Sequence, residues 1–262
     1  MLAQRIATAV VGVPLIFLLI LVGGNWYVAF VAAALAIASL EFQHPRLGWL
    51  HHVSLLAAAF CAAMASGAHV GLNWVLWFMA GAILLTLAAS LIPFDADRML
   101  TDWLWTIGGI AYVGFLGSFI VLLRDFPNGR DWVYLALFST FSVDTTAYFT
   151  GRAFGSHPLA PAISPKKTVE GFVGGYAGGF AAVLLLNYFL GLRIEASQAV
   201  LLGLVFPLAA TVGDLAESGI KRSMHIKDAS ELIPGHGGVL DRLDSILFTF
   251  TLVYLFTQWI IL

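Results

Sequence analysis

Residues 47–94 read LGWLHHVSLLAAAFCAAMASGAHVGLNWVLWFMAGAILLTLAASLIPF, a run of 48 residues without aspartate, glutamate, lysine or arginine. A helix that spans a bilayer needs about 20 predominantly apolar residues, so the run is long enough for two such helices. Gly71-Leu72-Asn73, near its middle, predicts the turn that separates them. This stretch therefore indicates a protein whose helices cross a membrane several times.

The composition of the whole chain leads to the same class. Of the 262 residues, 60% are hydrophobic and 11% are charged, whereas about a quarter of the residues of a soluble domain are charged. A net charge of −2 excludes the strongly basic surface that a nucleic acid would need. The single cysteine, Cys61, excludes an intramolecular disulfide and a thiolate zinc cluster.

Charge-free runs and glycine breaks elsewhere predict an all-α, polytopic integral membrane bundle of about nine transmembrane helices. They are expected near residues 5–23, 26–41, 50–70, 73–93, 103–123, 132–150, 169–190, 197–222 and 241–262. The first apolar run exceeds the roughly 7–15 residues typical of a secretory signal, so we expect a retained helix.

This topology divides the basic residues unequally. Ten lysines and arginines fall on the side of the N-terminus and of the loops after even-numbered helices, and three fall on the other side. Because cytoplasmic loops are richer in lysine and arginine, loops 151–168 and 223–240 are expected in the cytoplasm. Polar residues in these two loops should then face the cytoplasm.

Charge is also concentrated along the chain, since ten of the 28 charged residues lie between Asp214 and Asp244. We therefore expect residues 1–130 to form a transmembrane scaffold and residues 131–262 to form the transmembrane region that carries the candidate catalytic groups.

Asp144 lies in the otherwise apolar stretch FSTFSVDTTAYFTG. A carboxylate at mid-membrane depth costs about 2.5–3.5 kcal/mol, so Asp144 is expected to face the bundle interior or a water-filled cavity. The alternative is an acid at a helix end, near the interface.

Lys166 and Lys167 stand before a predicted helix whose first residues Thr168 is expected to cap. Paired ammonium groups at a helix entrance suit a phosphate, although such lysines also act as topology determinants or lipid-headgroup contacts. Within that helix, glycines 171, 175 and 179 share one face, which favours close packing of a neighbouring helix.

A later helix carries two acids and then two bases on one broad face, because Asp214, Glu217, Ser218, Lys221 and Arg222 follow helical spacing. This arrangement suits a divalent cation held by carboxylates, with basic groups on a polyphosphate beside it. Ion pairing within the helix is the alternative.

The segment from Lys227 to Asp244 contains Pro-Gly and Gly-Gly turns around His236, so an ordered loop is expected there. Its glycines allow backbone to approach a ligand closely. Asp241 and Asp244 then point the same way at the start of the last helix, and hard carboxylate oxygens suit Mg²⁺.

Three segments resemble the phosphatidate cytidylyltransferase (CDP-diacylglycerol synthase) family. The first runs from Ser218 through Lys221-Arg222, Lys227-Asp228, Pro234 and His236-Gly237-Gly238 to Asp241-Arg242 and Asp244. The others are Ser164-Pro165-Lys166-Lys167-Thr168 with Glu170-Gly171, and Asp144-Thr145-Thr146-Ala147-Tyr148, where the family usually has glycine in place of Thr146. The resemblance covers residues from roughly 140 to 262, and the first 130 residues share only length and hydrophobicity.

The resemblance implies an Mg²⁺-dependent enzyme that converts CTP and phosphatidic acid into CDP-diacylglycerol and pyrophosphate at the bilayer, with a second cation such as K⁺. Asp214 and Asp241 are the first candidates for metal ligands, followed by Asp144 and Asp244. The residues expected to be catalytic are Asp214, Asp241, Lys221, Arg222 and Lys227. Substrate binding is expected of Ser164, Lys166, Lys167, Ser218, His236, Gly237, Gly238 and Arg242. A homodimer is expected from the family, and no nucleic-acid partner.

Two other functions compete with this interpretation. A CDP-alcohol phosphotransferase would carry a D-G-x-x-A-R run, and the sequence has none. A transporter also uses intramembrane acids and glycine-rich helices, but carriers usually show two pseudo-symmetric halves. Here nearly all the polar groups lie in the second half.

Overall fold

The computed structural model describes residues 2–192, 194–233, 235 and 237–261, apart from the side chains of residues 2–7, 9, 260 and 261. Within these ranges the chain forms nine helical segments and one short β-hairpin. The helices are α1 Leu2–Val22, α2 Gly24–Leu47, α3 His52–Ala68, α4 Leu72–Ala89, α5 Met99–Asp125, α6 Gly129–Phe154, α7 Val169–Leu190, α8 Ala196–Ser223 and α9 Leu240–Ile261. The predicted helical class is confirmed, and each predicted helix corresponds to one of these segments.

Five of the described helices are long and apolar enough to cross a membrane, namely α2, α4, α5, α7 and α8. Shorter apolar helices are formed by Val10–Val22 and His52–Ala68. The membrane character of the chain therefore rests on both composition and helix length.

The chain divides into two compact units. The first contains residues 1–125 and 228–242, and the second contains residues 126–227 and 243–262. The first unit thus combines the apolar N-terminal helices with the loop that carries part of the family motif.

In the first unit, α5 packs closely against α2 and α3 through glycines. A Cβ on Gly109 would meet the ring of Phe42, and one on Gly114 would lie 2.8 Å from the Sγ of Cys61. Residues Ile110–Phe115 of α5 form a π-helical turn at this contact. Small residues let helix backbones approach closely where dispersion is the main attraction between apolar helices.

In the second unit, α6 and α7 pack through the glycine face that the sequence predicts. Gly171, Gly175 and Gly179 are buried, and a Cβ on Gly175 would lie 2.9 Å from the Cβ of Ala147. On the flank of that face, a Cβ on Gly178 would collide with the side chain of Thr146. The packing role of the glycines is confirmed.

The segment between α6 and α7 differs from the predicted open loop. Helix α6 continues to Phe154, and an antiparallel hairpin follows, with β1 at Pro158–Ala160 and β2 at Ser164–Thr168. Pro165 restricts the residue before it to extended backbone, which favours a strand there. The fold is therefore helical with one small two-stranded sheet.

Candidate active site

A cavity of about 540 Å³ in the second unit collects many of the predicted polar residues. The polar and charged side chains among its lining residues are those of Asp144, Tyr148, Arg152, Ser164, Lys166, Lys167, Thr168, Thr211, Asp214 and Asp244. Three carboxylates and three cationic groups therefore share one space. Such a mixture suits an anionic ligand that arrives with a cation.

Four elements supply these groups. Asp144 comes from α6, the two lysines from β2, Asp214 from α8 and Asp244 from α9. The approach of α6 to α7 forms one wall, since the small residues Gly151, Gly171 and Gly175 line the cavity as well. The close glycine packing thus brings the hairpin and Asp144 to the same place.

The hairpin is fixed to α7 at its end. The Oγ1 of Thr168 accepts a hydrogen bond from the backbone N–H of Gly171 at 3.1 Å, as an N-cap does. Glu170 holds the other end, because its carboxylate accepts bonds from the backbone N–H groups of Ser156 and His157 and lies 2.6 Å from the His157 Nδ1. The predicted cap is confirmed, and the hairpin holds its lysines in place.

Lys167 forms an ion pair with Asp214. Both side chains are only about a quarter exposed, at 26% for the lysine and 29% for the aspartate. Partial burial strengthens the attraction between the two charges, because less water screens it. The pair links β2 to α8 at the cavity wall.

Tyr148 and Arg152 of α6 were not among the predicted site residues, although both line the cavity. The Nη1 of Arg152 donates a hydrogen bond of 2.8 Å to the Tyr148 hydroxyl. The two residues are one helical turn apart, a spacing that lets side chains meet. Because α6 was expected to end near residue 150, this helical spacing was not recognised in the sequence.

On the predicted acid–base face of α8, one acid and one base form an ion pair with each other. Lys221 Nζ lies 2.6 Å from a carboxylate oxygen of Glu217, and the Glu217 side chain is 1% exposed. Arg222 donates hydrogen bonds to the carbonyl oxygens of Ile163 and Ile226. The ion pairing that the spacing allowed as an alternative is therefore present for Lys221.

Lys221, Arg222, Ser218 and Lys227 are not among the described residues that line the cavity. They lie on the last turns of α8 and in the segment after it, and Lys227 is exposed. The cavity thus gathers the hairpin lysines and three of the four predicted metal ligands, but not this second basic group.

We call residues 228–242 the signature loop, which belongs to the first unit. The Oδ2 of Asp241 accepts hydrogen bonds from the backbone N–H of Gly238 at 2.7 Å and from that of Ala229 at 3.0 Å. Asp241 is 8% exposed. The predicted metal ligand therefore also fastens the two ends of the loop together.

The glycines of the signature loop approach carboxylates. Gly237 has a φ of +80°, which favours glycine, and a Cβ there would lie 2.6 Å from the Oδ2 of Asp241.

Two other predicted substrate-binding residues belong to this loop. Arg242 is exposed, and its backbone N–H donates to the carbonyl of Val239. His236 lies outside the described residues.

Carboxylate oxygens of the Asp144, Asp214 and Asp244 type are the donors that Mg²⁺ prefers. Among the described residues, no group of three or more histidine, cysteine or acidic side chains is close enough together to hold a metal ion alone. Mg²⁺ usually takes one or two carboxylates and completes its shell with substrate phosphates and water. The donor set fits that mode of binding.

Comparisons with known proteins agree with the motifs. The model of the cytidylyltransferase family matches residues 3–260. The phosphatidate cytidylyltransferase of Brucella abortus (strain 2308) is 35% identical over 260 residues, which cover 97% of this chain and 93% of the relative. That of Mycobacterium tuberculosis (strain ATCC 25618 / H37Rv) is 32% identical over 255 residues, covering 90% and 76%. A Staphylococcus saprophyticus relative of the same name is 38% identical over 152 residues, covering 58% of each chain. The chain therefore belongs to the cytidylyltransferase family.

Proposed function

We propose that this chain transfers CMP from CTP to phosphatidic acid, giving CDP-diacylglycerol and pyrophosphate for phospholipid synthesis. The observation that carries the proposal is the cavity in which Lys166 and Lys167 meet three carboxylates among apolar helices. A water-soluble triphosphate and a lipid phosphate both need cationic groups, and the lipid also needs access from a bilayer. The relatives of similar length carry the name of this activity.

The proposed reaction needs no nucleophile from the protein. An oxygen of the lipid phosphate forms a bond to the α-phosphorus of CTP, and the bond from that phosphorus to the oxygen bridging to the β-phosphate breaks. Pyrophosphate leaves with the bonding electron pair. Positioning and neutralisation of charge then supply most of the rate, as in phosphoryl transfer generally.

The bases divide into two groups in this proposal. Lys166 and Lys167 of β2 bind the lipid phosphate at the cavity. Lys221, Arg222 and Lys227, at the end of α8 and beyond it, bind the triphosphate. Ser164, Ser218, His236, Gly237, Gly238 and Arg242 complete the substrate contacts. Among the described residues that line the cavity are the two lysines of the first group and none of the second group, which supports the division.

We propose that Mg²⁺ is the cofactor, held by Asp214 and Asp241 first, with Asp144 and Asp244 as further ligands and a second cation such as K⁺. Bound Mg²⁺ neutralises charge on the phosphate oxygens. Three of the four acids line the cavity beside the lysines, which supports the proposal. Asp241 lies in the signature loop.

The proposal places the chain in the inner (plasma) membrane, with all nine helices crossing it and the active site on the cytoplasmic side. The ten-to-three asymmetry of basic residues supports this orientation. A homodimer is part of the proposal on the strength of the family resemblance alone.

Purified protein in detergent, given radiolabelled CTP, phosphatidic acid and Mg²⁺, should release labelled CDP-diacylglycerol and unlabelled pyrophosphate from α-labelled CTP. A CDP-alcohol phosphotransferase would leave CTP intact and consume CDP-diacylglycerol instead. A transporter would turn over neither. Absence of CTP turnover with phosphatidic acid would overturn the proposal.

A further inference from the structure

Glu41 is a fully buried carboxylate in the apolar helix α2 of the first unit. A buried charge is costly unless hydrogen bonds or an opposite charge compensate for it. Among the described residues, no lysine or arginine forms an ion pair with Glu41. Its partners must therefore account for its presence in the helix.

The partners of Glu41 all belong to the signature loop. The Oε1 accepts hydrogen bonds from the Ser230 hydroxyl at 2.6 Å and from the Val239 backbone N–H at 3.1 Å. The Oε2 accepts one from the Leu240 backbone N–H at 2.7 Å. The loop is thus held near both of its ends by one side chain.

Two of these donors lie where α9 begins, at Leu240. The first N–H groups of a helix have no partner within the helix, and the dipole makes that end positive. A carboxylate there satisfies the donors and is favoured by the field. Glu41 therefore acts as an N-cap supplied from another helix.

The same carboxylate explains why residue 238 is a glycine. A Cβ added there would lie 2.6 Å from the Oε2 and 2.7 Å from the Oε1 of Glu41, and both atoms are held by hydrogen bonds. Neither oxygen can move away without losing a partner. Glycine is required at this position because the carboxylate lies directly against the backbone.

These contacts bear on Asp241 through the backbone. The N–H of Gly238 donates to Asp241, and those of the next two residues donate to Glu41. Three successive N–H groups are thus shared between two carboxylates. We infer that Glu41 is a positioning residue, which fixes the signature loop and thereby the orientation of Asp241; its effect on catalysis rests on the function proposed above.

Glu41→Gln tests this inference with almost no change in size. An amide has one oxygen acceptor, and its NH₂ group would face an N–H or O–H donor, so at least one donor loses its bond. Hydrogen–deuterium exchange of residues 228–242 should become faster. The kcat per folded molecule should fall about tenfold or more, and by a larger factor than the KM values for CTP and phosphatidic acid rise, because the loop also carries proposed substrate contacts.

Ser230→Ala provides a milder second variant, since it leaves both backbone donors on Glu41. It removes one hydroxyl, which donates to Glu41 and accepts from the Leu232 backbone N–H. It should give a smaller change of the same kind. Glu195→Gln is the matched control, because Glu195 also caps a helix with its side chain, at the start of α8 in the second unit. It should alter neither the exchange of the signature loop nor kcat.

Unchanged exchange of residues 228–242 in both Glu41→Gln and Ser230→Ala would overturn the inference. Faster exchange with normal kcat per folded molecule would also overturn it, because the loop would then be held without consequence for the reaction. If the unmodified protein showed no cytidylyl transfer, the proposed function would fail. The exchange comparison would still decide separately whether Glu41 holds the loop.

Discussion

Lys167 of β2 and Asp214 of α8 form an ion pair at the wall of the cavity. The pair joins a base that we assign to the lipid phosphate with an acid that we assign to Mg²⁺. A phosphate that binds Lys167 would replace Asp214 as the partner of the lysine, and a cation that binds Asp214 would replace Lys167 as the partner of the aspartate. The two ligands are therefore expected to favour each other's binding.

Asp214→Asn should lose nearly all turnover without unfolding the protein. The two side chains of its ion pair are about a quarter exposed, so loss of the pair should cost less than the roughly 3–5 kcal/mol of a fully buried pair, whereas the proposed metal ligand is needed for the reaction. We expect turnover to fall by about two orders of magnitude, or roughly 3 kcal/mol of transition-state stabilisation. Asp97→Asn, in the exposed loop before α5, is the control and should behave as the unmodified protein. Near-normal turnover of Asp214→Asn would remove Asp214 from the metal site.

Asp241→Asn should also lose activity, but with a second effect that Asp214→Asn lacks. Both Asp241 oxygens lie within hydrogen-bonding distance of the Ala229 N–H, and one also accepts from Gly238. A neutral amide oxygen in place of Oδ2 accepts these bonds more weakly than a carboxylate does, and the NH₂ group in place of Oδ1 would face the Ala229 N–H, so the signature loop should loosen. Limited proteolysis within residues 228–238 should become faster in Asp241→Asn only. Equal protection in both variants would mean that Asp241 does not fasten the loop.

Some of the site was predictable because its signals are local. The cap by Thr168 follows from residue type and position before a helix, and the glycine face of α7 follows from a spacing of four residues. Asp144 was recognised because an acid in an apolar helix is costly wherever the helix packs. These inferences need only the neighbouring sequence.

The sequence analysis does not identify Glu41, because its hydrogen-bond partners lie far away in the sequence. The sequence predicts a helix that ends near residue 41, yet α2 continues to Leu47 with Glu41 buried inside it. One of its partners, the N–H of Leu240, is 199 residues away in sequence. The hairpin was missed for a related reason, since two strands of three and five residues leave little periodicity to detect.

Lys221→Met and Lys167→Met should affect different substrates. Loss of a charge-assisted hydrogen bond to phosphate costs about 1.5–3 kcal/mol, or roughly ten- to a hundredfold in rate or affinity. Lys221→Met should weaken the use of CTP, and Lys167→Met should raise the KM for phosphatidic acid. Titration of each substrate against a saturating partner separates the two. The same pattern for both variants would mean one shared phosphate cluster.

Lys221→Met should carry a stability cost as well, because Glu217 would keep its buried charge without the ammonium at 2.6 Å. Removing one partner of a buried ion pair typically costs about 3–5 kcal/mol. The double variant Lys221→Met/Glu217→Gln should recover much of the lost thermal stability and none of the CTP use. Recovery of both would show that Lys221 serves only to balance Glu217.

The orientation in the membrane can be tested at Ser156, which is exposed beside the hairpin. Ser156→Cys in a Cys61→Ala background should react with an impermeant thiol reagent only after the cells are opened. The background removes Cys61, the only cysteine in the sequence, so that the introduced cysteine is the only thiol that the reagent can label. Labelling of intact cells would place residues 151–168 outside and overturn the proposed topology.

Arg152 should act at the cavity through its fixed position on α6. Its guanidinium donates to the Tyr148 hydroxyl and still has donors left for an anion, since arginine carries five N–H groups. Arg152→Met should raise the KM for phosphatidic acid about tenfold or more, the lower end of what one charge-assisted bond supplies. Arg152→Lys should recover only part of this loss, because an ammonium lacks the planar fork that binds a phosphate through two bonds. Tyr148→Phe removes the hydroxyl that holds the guanidinium and should have a smaller effect in the same direction.

Steady-state titration of phosphatidic acid at saturating CTP measures all three Arg152 and Tyr148 variants. Arg130→Met is the control, because Arg130 pairs with Asp131 at the other end of α6. If Arg152→Met raised the KM for CTP instead, Arg152 would belong with the triphosphate, and the cavity would bind the nucleotide rather than the lipid phosphate.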